Sequence, residues 1–265
     1  MKLHTLGTGS CAVSASRYNS SSILETDNGL YVFDAGSPCD SLLLRAGLHL
    51  ADVRAIFITH MHLDHIGGLP NLLRALSNCN VSLRYSPISI FLPESSGIFA
   101  LKHWLSGTRT KINYKLFDLK ILSPSDSVIY KADDLKIICI PTDHIPNTIP
   151  ITYAYAVYHS TGNILVTGDL SPDLHDMPRC IFQEPFHTCL CEATHFDPTS
   201  SKMIFQELKC QHLIFHHVHT PWQSHEGASK FLSSLSPLPY VAEFAYDGAR
   251  YSIPGTDSTY FQNQK

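Results

Sequence analysis

Four residues able to bind a metal ion fall within six positions of the run Thr59-His60-Met61-His62-Leu63-Asp64-His65. The run follows the apolar residues 55–58 and precedes Gly67-Gly68. At the extended end of a strand His60 and His62, two apart, project to the same side and can share one ion. Asp64 and His65 stand where the chain turns into a helix, so their side chains can reach a second ion close by. Imidazole and carboxylate donors at this density are the ligands that zinc and similar ions take.

The elements around the run must hold it in place. Residues 2–6, 21–26, 30–34 and 54–59 read as short strands broken by turn residues, and residues 38–48 and 68–76 as helices. The middle carries a helix at 94–105 and strands at 127–130 and 135–140. Further strands follow at 151–158, 163–167, 188–192, 212–216 and 249–253, with helices at 198–208 and 224–235. The apolar residues 88–92 and the stretch 94–107 read as core packing, with a lid over the site as the alternative. The chain has 265 residues, 44% hydrophobic and 16% charged, which supports a large buried core. One domain over 1–265 is expected, with a boundary between two halves near 146–150.

A net charge of −4 supplies no general basic field for long nucleic acid or an anionic membrane. The eight cysteines lack CxxC spacing and read as reduced thiols. The N-terminal residues lack the continuous apolar core of a signal peptide, and no apolar run is long enough to span a bilayer, so a cytoplasmic protein is expected.

The histidine run resembles the HxHxDH signature of the metallo-β-lactamase superfamily, and other segments resemble that family's further motifs in the family's order. The resemblance implies an α/β fold, a four-layered αββα sandwich with the metal site at the edge between its two sheets. It implies that Asp34, in Tyr31-Val32-Phe33-Asp34-Ala35-Gly36, supports the histidine loop without binding metal. His144, in Pro141-Thr142-Asp143-His144, becomes the third histidine of the first ion, and Asp169, in Thr167-Gly168-Asp169, bridges both ions. The last ligand lies in His212-Leu213-Ile214-Phe215-His216-His217-Val218-His219; the family pattern favours His217, with His219 next. The implied metal set is His60, His62, Asp64, His65, His144, Asp169 and His217. It suits two divalent ions, zinc first, with manganese or iron as alternatives.

Such a centre implies a hydrolase whose nucleophile is a metal-bound hydroxide, oriented by Asp64. Cys191-Glu192-Ala193-Thr194-His195-Phe196 resembles the glutamate motif of ribonuclease Z and its phosphodiesterase relatives. Glu192 with His195 is therefore the candidate proton-donor pair; a strand-end glutamate and a loop histidine is the plainer reading. The motif's first histidine is Cys191 here, and the family's later histidine-serine-threonine loop is not evident. His219, His225 and Glu226 are candidates for the pocket rim, and Pro221-Trp222 for its wall or for packing. In ribonuclease Z a long arm that grips tRNA is inserted between the third histidine motif and the bridging aspartate. Here His144 and Asp169 are only 25 positions apart. A small phosphodiester or cyclic nucleotide is the expected substrate. The alternatives are a carboxylic ester, lactone or thioester, then a tRNA 3′-processing endonuclease, then a non-catalytic metal-binding module. Members of this fold often pair, so a homodimer stays open.

Overall fold

The computed structural model describes residues 1–79, 87–123, 125, 127–132, 134–146, 149, 151–253 and 258–259. The chain forms two compact units: Met1–Cys11, Ser16–Leu122 and the segment from Tyr246 onward make the first, Ala12–Ala15 and Ser123–Ala245 the second.

The first unit opens with β1 (Lys2–Gly7), β2 (Ser21–Thr26), β3 (Gly29–Phe33), α1 (Cys39–Arg45) and β4 (Val53–Phe57). It continues through α2 (Leu63–Ile66), α3 (Leu69–Asn78), β5 (Ile88–Leu92), α4 (Ser95–Gly107) and β6 (Phe117–Ile121). The second unit holds β7 (Ser127–Lys131), β8 (Leu135–Thr142), β9 (Thr152–His159), β10 (Ile164–Val166), α5 (Cys180–Gln183) and β11 (Phe186–Ala193). It ends with α6 (Pro198–Glu207), β12 (Cys210–Val218), α7 (His225–Leu235) and β13 (Val241–Phe244). The chain then returns to the first unit with β14 (Ala249–Ser252) and β15 (Ser258–Thr259).

Both sheets are mixed and follow one plan. The first has the order β15-β14-β1-β2-β3-β4-β5-β6, antiparallel up to β3 and parallel from β3 to β6. The second has the order β13-β12-β11-β10-β9-β8-β7, antiparallel from β7 to β10 and parallel from β10 to β13. In each sheet one strand, β3 or β10, lies where the sense of pairing changes. Loops leaving the carboxyl ends of parallel strands at such a point are free to converge on a ligand.

Packing follows the sequence pattern. In α3 the buried residues are Leu69, Leu72, Leu73 and Leu76, spaced i, i+3, i+4, i+7, so one stripe faces inward. They share a cluster with Val32, Ile56, Ile58 and Ile90 of the sheet. The opposite sheet face carries Phe33, Phe57 and Phe91 in a stack with ring centroids 5.2 and 5.0 Å apart. In the second unit Phe205, Phe231 and Leu235 of the helices meet Leu165, Leu213 and Phe215 of the sheet.

The structure amends several sequence expectations. Residues 88–92 are the strand β5, paired on both sides, and so belong to the sheet core. The short strands β6 and β13 were not read; β13 is four residues long and follows a proline-rich stretch that masks it. Asp247-Gly248 form a turn before β14, with Gly248 at φ 79. The stretch 146–150, of which 147, 148 and 150 lie outside the described residues, connects β8 to β9. Those strands pair from Leu135↔His159 to Thr142↔Thr152 within one sheet, and the units divide instead after Leu122 and Ala245. Among the described residues no helix is long and apolar enough to cross a membrane.

Candidate metal centre

In the first unit the donors come from the loop after β4, and Asp34 holds that loop from behind. Asp34 directly follows β3 at φ 58, a left-handed conformation that aspartate tolerates better than most residues, and it is 2% exposed. Its Oδ1 accepts the Thr59 backbone N–H at 2.8 Å, and its Oδ2 accepts the Thr59 hydroxyl at 2.9 Å. The His65 Nδ1–H donates to the same Oδ2 at 2.7 Å. Thr59 Oγ1 also lies 3.0 Å from His60 Nδ1. With these bonds made at Nδ1, both His60 and His65 present Nε2 as the available ligand nitrogen. His60 and His65 are fully buried, and Asp64 nearly so.

The turn after Asp34 fixes the same loop through its backbone. Ala35 N–H donates to His65 O at 2.7 Å, and Gly68 N–H donates to Ala35 O at 2.7 Å. A Cβ on Gly36 would overlap the carbonyl oxygen of Asp64, so glycine there permits the close approach. The four donors fall into two pairs: His60 Nε2 is 3.0 Å from His62 Nδ1, and Asp64 Oδ2 is 3.7 Å from His65 Nε2.

In the second unit the donors leave the carboxyl ends of β8, β10, β11 and β12. Asp169 follows Gly168, whose φ of 61 turns the chain sharply after β10. Its two oxygens face different histidines: Oδ2 is 3.7 Å from His144 Nε2 and 3.8 Å from His195 Nδ1, while Oδ1 is 3.4 Å from His217 Nδ1. His217 occupies a bulge in β12, between the pairs Glu192↔His216 and Ala193↔Val218, at φ 50. The Thr194 hydroxyl bonds the His217 carbonyl oxygen and holds that bulge. Through the bulge His216 and His217 escape simple alternation, and both are buried. His219 is exposed at the start of a single helical turn.

Glu192 is wholly buried, yet four N–H groups satisfy it. Its Oε1 accepts from Leu170 N–H at 2.7 Å; its Oε2 accepts from Thr194 N–H at 3.1 Å, His195 N–H at 2.9 Å and His195 Nδ1–H at 2.7 Å. Asp169, Glu192, His195 and His217 thus form one compact donor group. His225 and Glu226 are exposed in the first turn of α7, and Trp222 packs edge-on against Phe231, 5.4 Å between centroids, a core contact.

Two atoms bound to one ion at about 2.0–2.2 Å in tetrahedral geometry sit about 3.3–3.6 Å apart. The spacings around Asp169 and within the Asp64–His65 pair lie close to that value, and nitrogen and carboxylate donors suit a divalent ion. The residues present therefore fit a metal centre. All eight cysteines are free; burial pushes Cys39 and Cys210 up to about 12, and a hydrogen bond with Cys191, followed by burial, pushes Cys189 upward, so these three thiols stay protonated.

Sequence reasoning overlooked Thr59, whose hydroxyl ties Asp34 to His60; its only signal was its place directly before the run. It also overlooked Asp176, which accepts the Asp143 N–H at 2.7 Å and the Ser171 hydroxyl at 2.6 Å. Asp247 was passed over too: it accepts Thr8 N–H at 2.8 Å, the Thr8 hydroxyl at 2.6 Å and Tyr18 N–H at 2.6 Å.

Two mixed sheets, each flanked by helices, match the αββα metallo-β-lactamase fold. The metallo-β-lactamase fold protein YhfI of Bacillus subtilis superposes with a TM-score of 0.72 at 16% identity, over 95% of this chain and 99% of that one. The short form of human tRNase Z gives 0.74 at 19% identity, over 96% and 100%. In sequence, the ribonuclease Z of Shouchella clausii (strain KSM-K16) is 38% identical over 120 residues, 44% of this chain and 37% of that relative. The chain spans less than half the length of the first curated relatives it matches. The family described as anti-Pycsar protein Apyc1 matches residues 1–239, and the chain belongs to that family.

Proposed function

We propose that the chain works as a single domain, a metal-dependent phosphodiesterase acting on a small phosphodiester or cyclic nucleotide. The observation that carries this reading is Asp169, whose two oxygens face separate histidines beside the Glu192-held His195. In this reading His60, His62 and His144 hold one ion, Asp64, His65 and His217 the other, and Asp169 both. Bound there, zinc or a similar ion would lower the pKa of a nearby water toward neutrality and counter charge on the phosphoryl oxygens.

The protein's own groups supply the rest. Asp64 orients the attacking water, and Asp34 and Thr59 keep the His60 and His65 rings aimed. An alkoxide leaving group needs a proton. Glu192 binds His195 through Nδ1, so the donating atom is Nε2, and the buried carboxylate steadies the imidazolium before transfer. The 25-position span from His144 to Asp169 leaves no room for a long tRNA-gripping arm, and the charge of −4 supports a small substrate.

The test is hydrolysis of bis(p-nitrophenyl) phosphate by zinc- or manganese-loaded protein, with Asp64→Ala and metal-free controls. Turnover that disappears in both controls supports the reading. Two bound metals without turnover would overturn it and favour carboxylic ester, lactone or thioester substrates.

A further inference from the structure

Away from the histidine run, the first unit carries a cleft of about 600 Å³ beside α3 and the C-terminal part of α4. Among the described residues its wall holds three cations, Arg74, Arg109 and Lys111, and no carboxylate. Among the described residues no ion pair involves any of the three. Cations gather near helix C-termini to offset the dipole, but each end amounts to about −0.5 charge. Two helix ends therefore account for about one of the three positive charges. In a chain of net charge −4, the remainder marks a local anion site.

The same wall presents the indole of Trp104, which is 63% exposed, and Asn71 and Asn78 also line the cleft. Arg109 adds an independent observation. α4 ends with Arg109 N–H bonded to Ser106 O at 2.9 Å and Thr110 N–H bonded to Leu105 O at 2.8 Å. That pair of bonds ordinarily places glycine at the left-handed position, and here arginine takes it at φ 53. A side chain kept at a strained position points to a use for that side chain.

We propose that this cleft binds a nucleoside phosphate at a site separate from the metal-ligating residues. The indole stacks the base, the asparagine amides meet its polar edge, and Arg74, Arg109 and Lys111 hold the phosphate. A volume of about 600 Å³ suits a ligand of this size.

Isothermal titration calorimetry of the metal-loaded full chain with 5′-AMP, and with inorganic phosphate, tests the assignment without relying on turnover. Trp104→Ala and Arg109→Gly should each weaken AMP binding at least tenfold while leaving hydrolysis of bis(p-nitrophenyl) phosphate unchanged. Arg109→Gly should also raise Tm, because glycine relieves the strained position; this shows that the lost binding is not lost folding. Unchanged AMP affinity in both variants would overturn the proposal, as would AMP binding no tighter than phosphate. A lower Tm for Arg109→Gly would assign the arginine to stability and overturn it as well.

Discussion

Asp34→Asn isolates the electrostatic part of the support behind the histidine loop. Asparagine has nearly the same shape and readily adopts the left-handed backbone seen at φ 58, so the exchange adds little backbone strain. It has one acceptor oxygen where aspartate has two. If that oxygen keeps the Thr59 N–H, the new amide faces the Thr59 hydroxyl and the His65 Nδ1–H. The hydroxyl can rotate away, but the ring N–H cannot. A buried unsatisfied donor costs about 1–3 kcal/mol, and loss of a charge-assisted bond about 1.5–3 kcal/mol. With partial relaxation the metal-free protein should lose about 2–4 kcal/mol. His65 can escape by moving its proton to Nε2, but that nitrogen is then no longer a ligand. Either response should weaken metal binding about 10–100-fold, or about 1.4–2.8 kcal/mol. Competition with a colorimetric zinc chelator measures the affinity, and urea unfolding of metal-free protein measures the stability. Wild-type metal affinity in Asp34→Asn would refute the claim that the carboxylate sets the ligand nitrogen.

Removing the His195 imidazole in His195→Ala should cut turnover of alkyl phosphodiesters about 10²–10⁴-fold. The loss should be much smaller for p-nitrophenyl esters, whose leaving group departs without a proton; equal losses for both would exclude His195 as the donor. Phe215 is fully buried, with ring centroids 4.9 Å from Phe231, 5.5 Å from Phe244 and 5.6 Å from Phe205. Phe215→Ala should therefore cost about 3–5 kcal/mol in urea unfolding, and a cost under about 1 kcal/mol would contradict the packing described. Burial pushes the Asp247 carboxyl above the usual aspartate range, so the folded state binds its proton more tightly than the unfolded state. Its contribution to stability is full below the unfolded value and is lost as pH rises through the folded one. Asp247→Asn should accordingly gain Tm relative to wild type as pH rises above the ordinary aspartate value of about 3.9; parallel Tm curves would show that no such shift exists.

The histidine run could be read because its residue types are rare together and their spacing maps directly onto a strand end. The buried stripe of α3 was legible for a similar reason, since four leucines at helical spacing admit one packing face. Other features depend on backbone geometry that periodicity does not carry. The bulge at His217 breaks alternation in β12 and leaves adjacent histidines both buried, which spacing does not show; it was the family resemblance that favoured His217, with His219 next. Thr59 looks like any strand-end threonine until the fold brings Asp34 beneath it. The arginine at the left-handed end of α4 was hidden because Gly107, two residues earlier, already looks like a helix terminator; in the structure it is the last helical residue.

The central claim is metal-dependent hydrolysis of a small phosphodiester, and phosphorus NMR of a 3′,5′-cyclic nucleotide incubated with metal-loaded protein tests it most directly. The account predicts conversion of the cyclic phosphodiester to a phosphomonoester, abolished by chelation and by Asp64→Ala. An unchanged cyclic nucleotide, alongside cleavage of precursor tRNA by the same preparation, would contradict it.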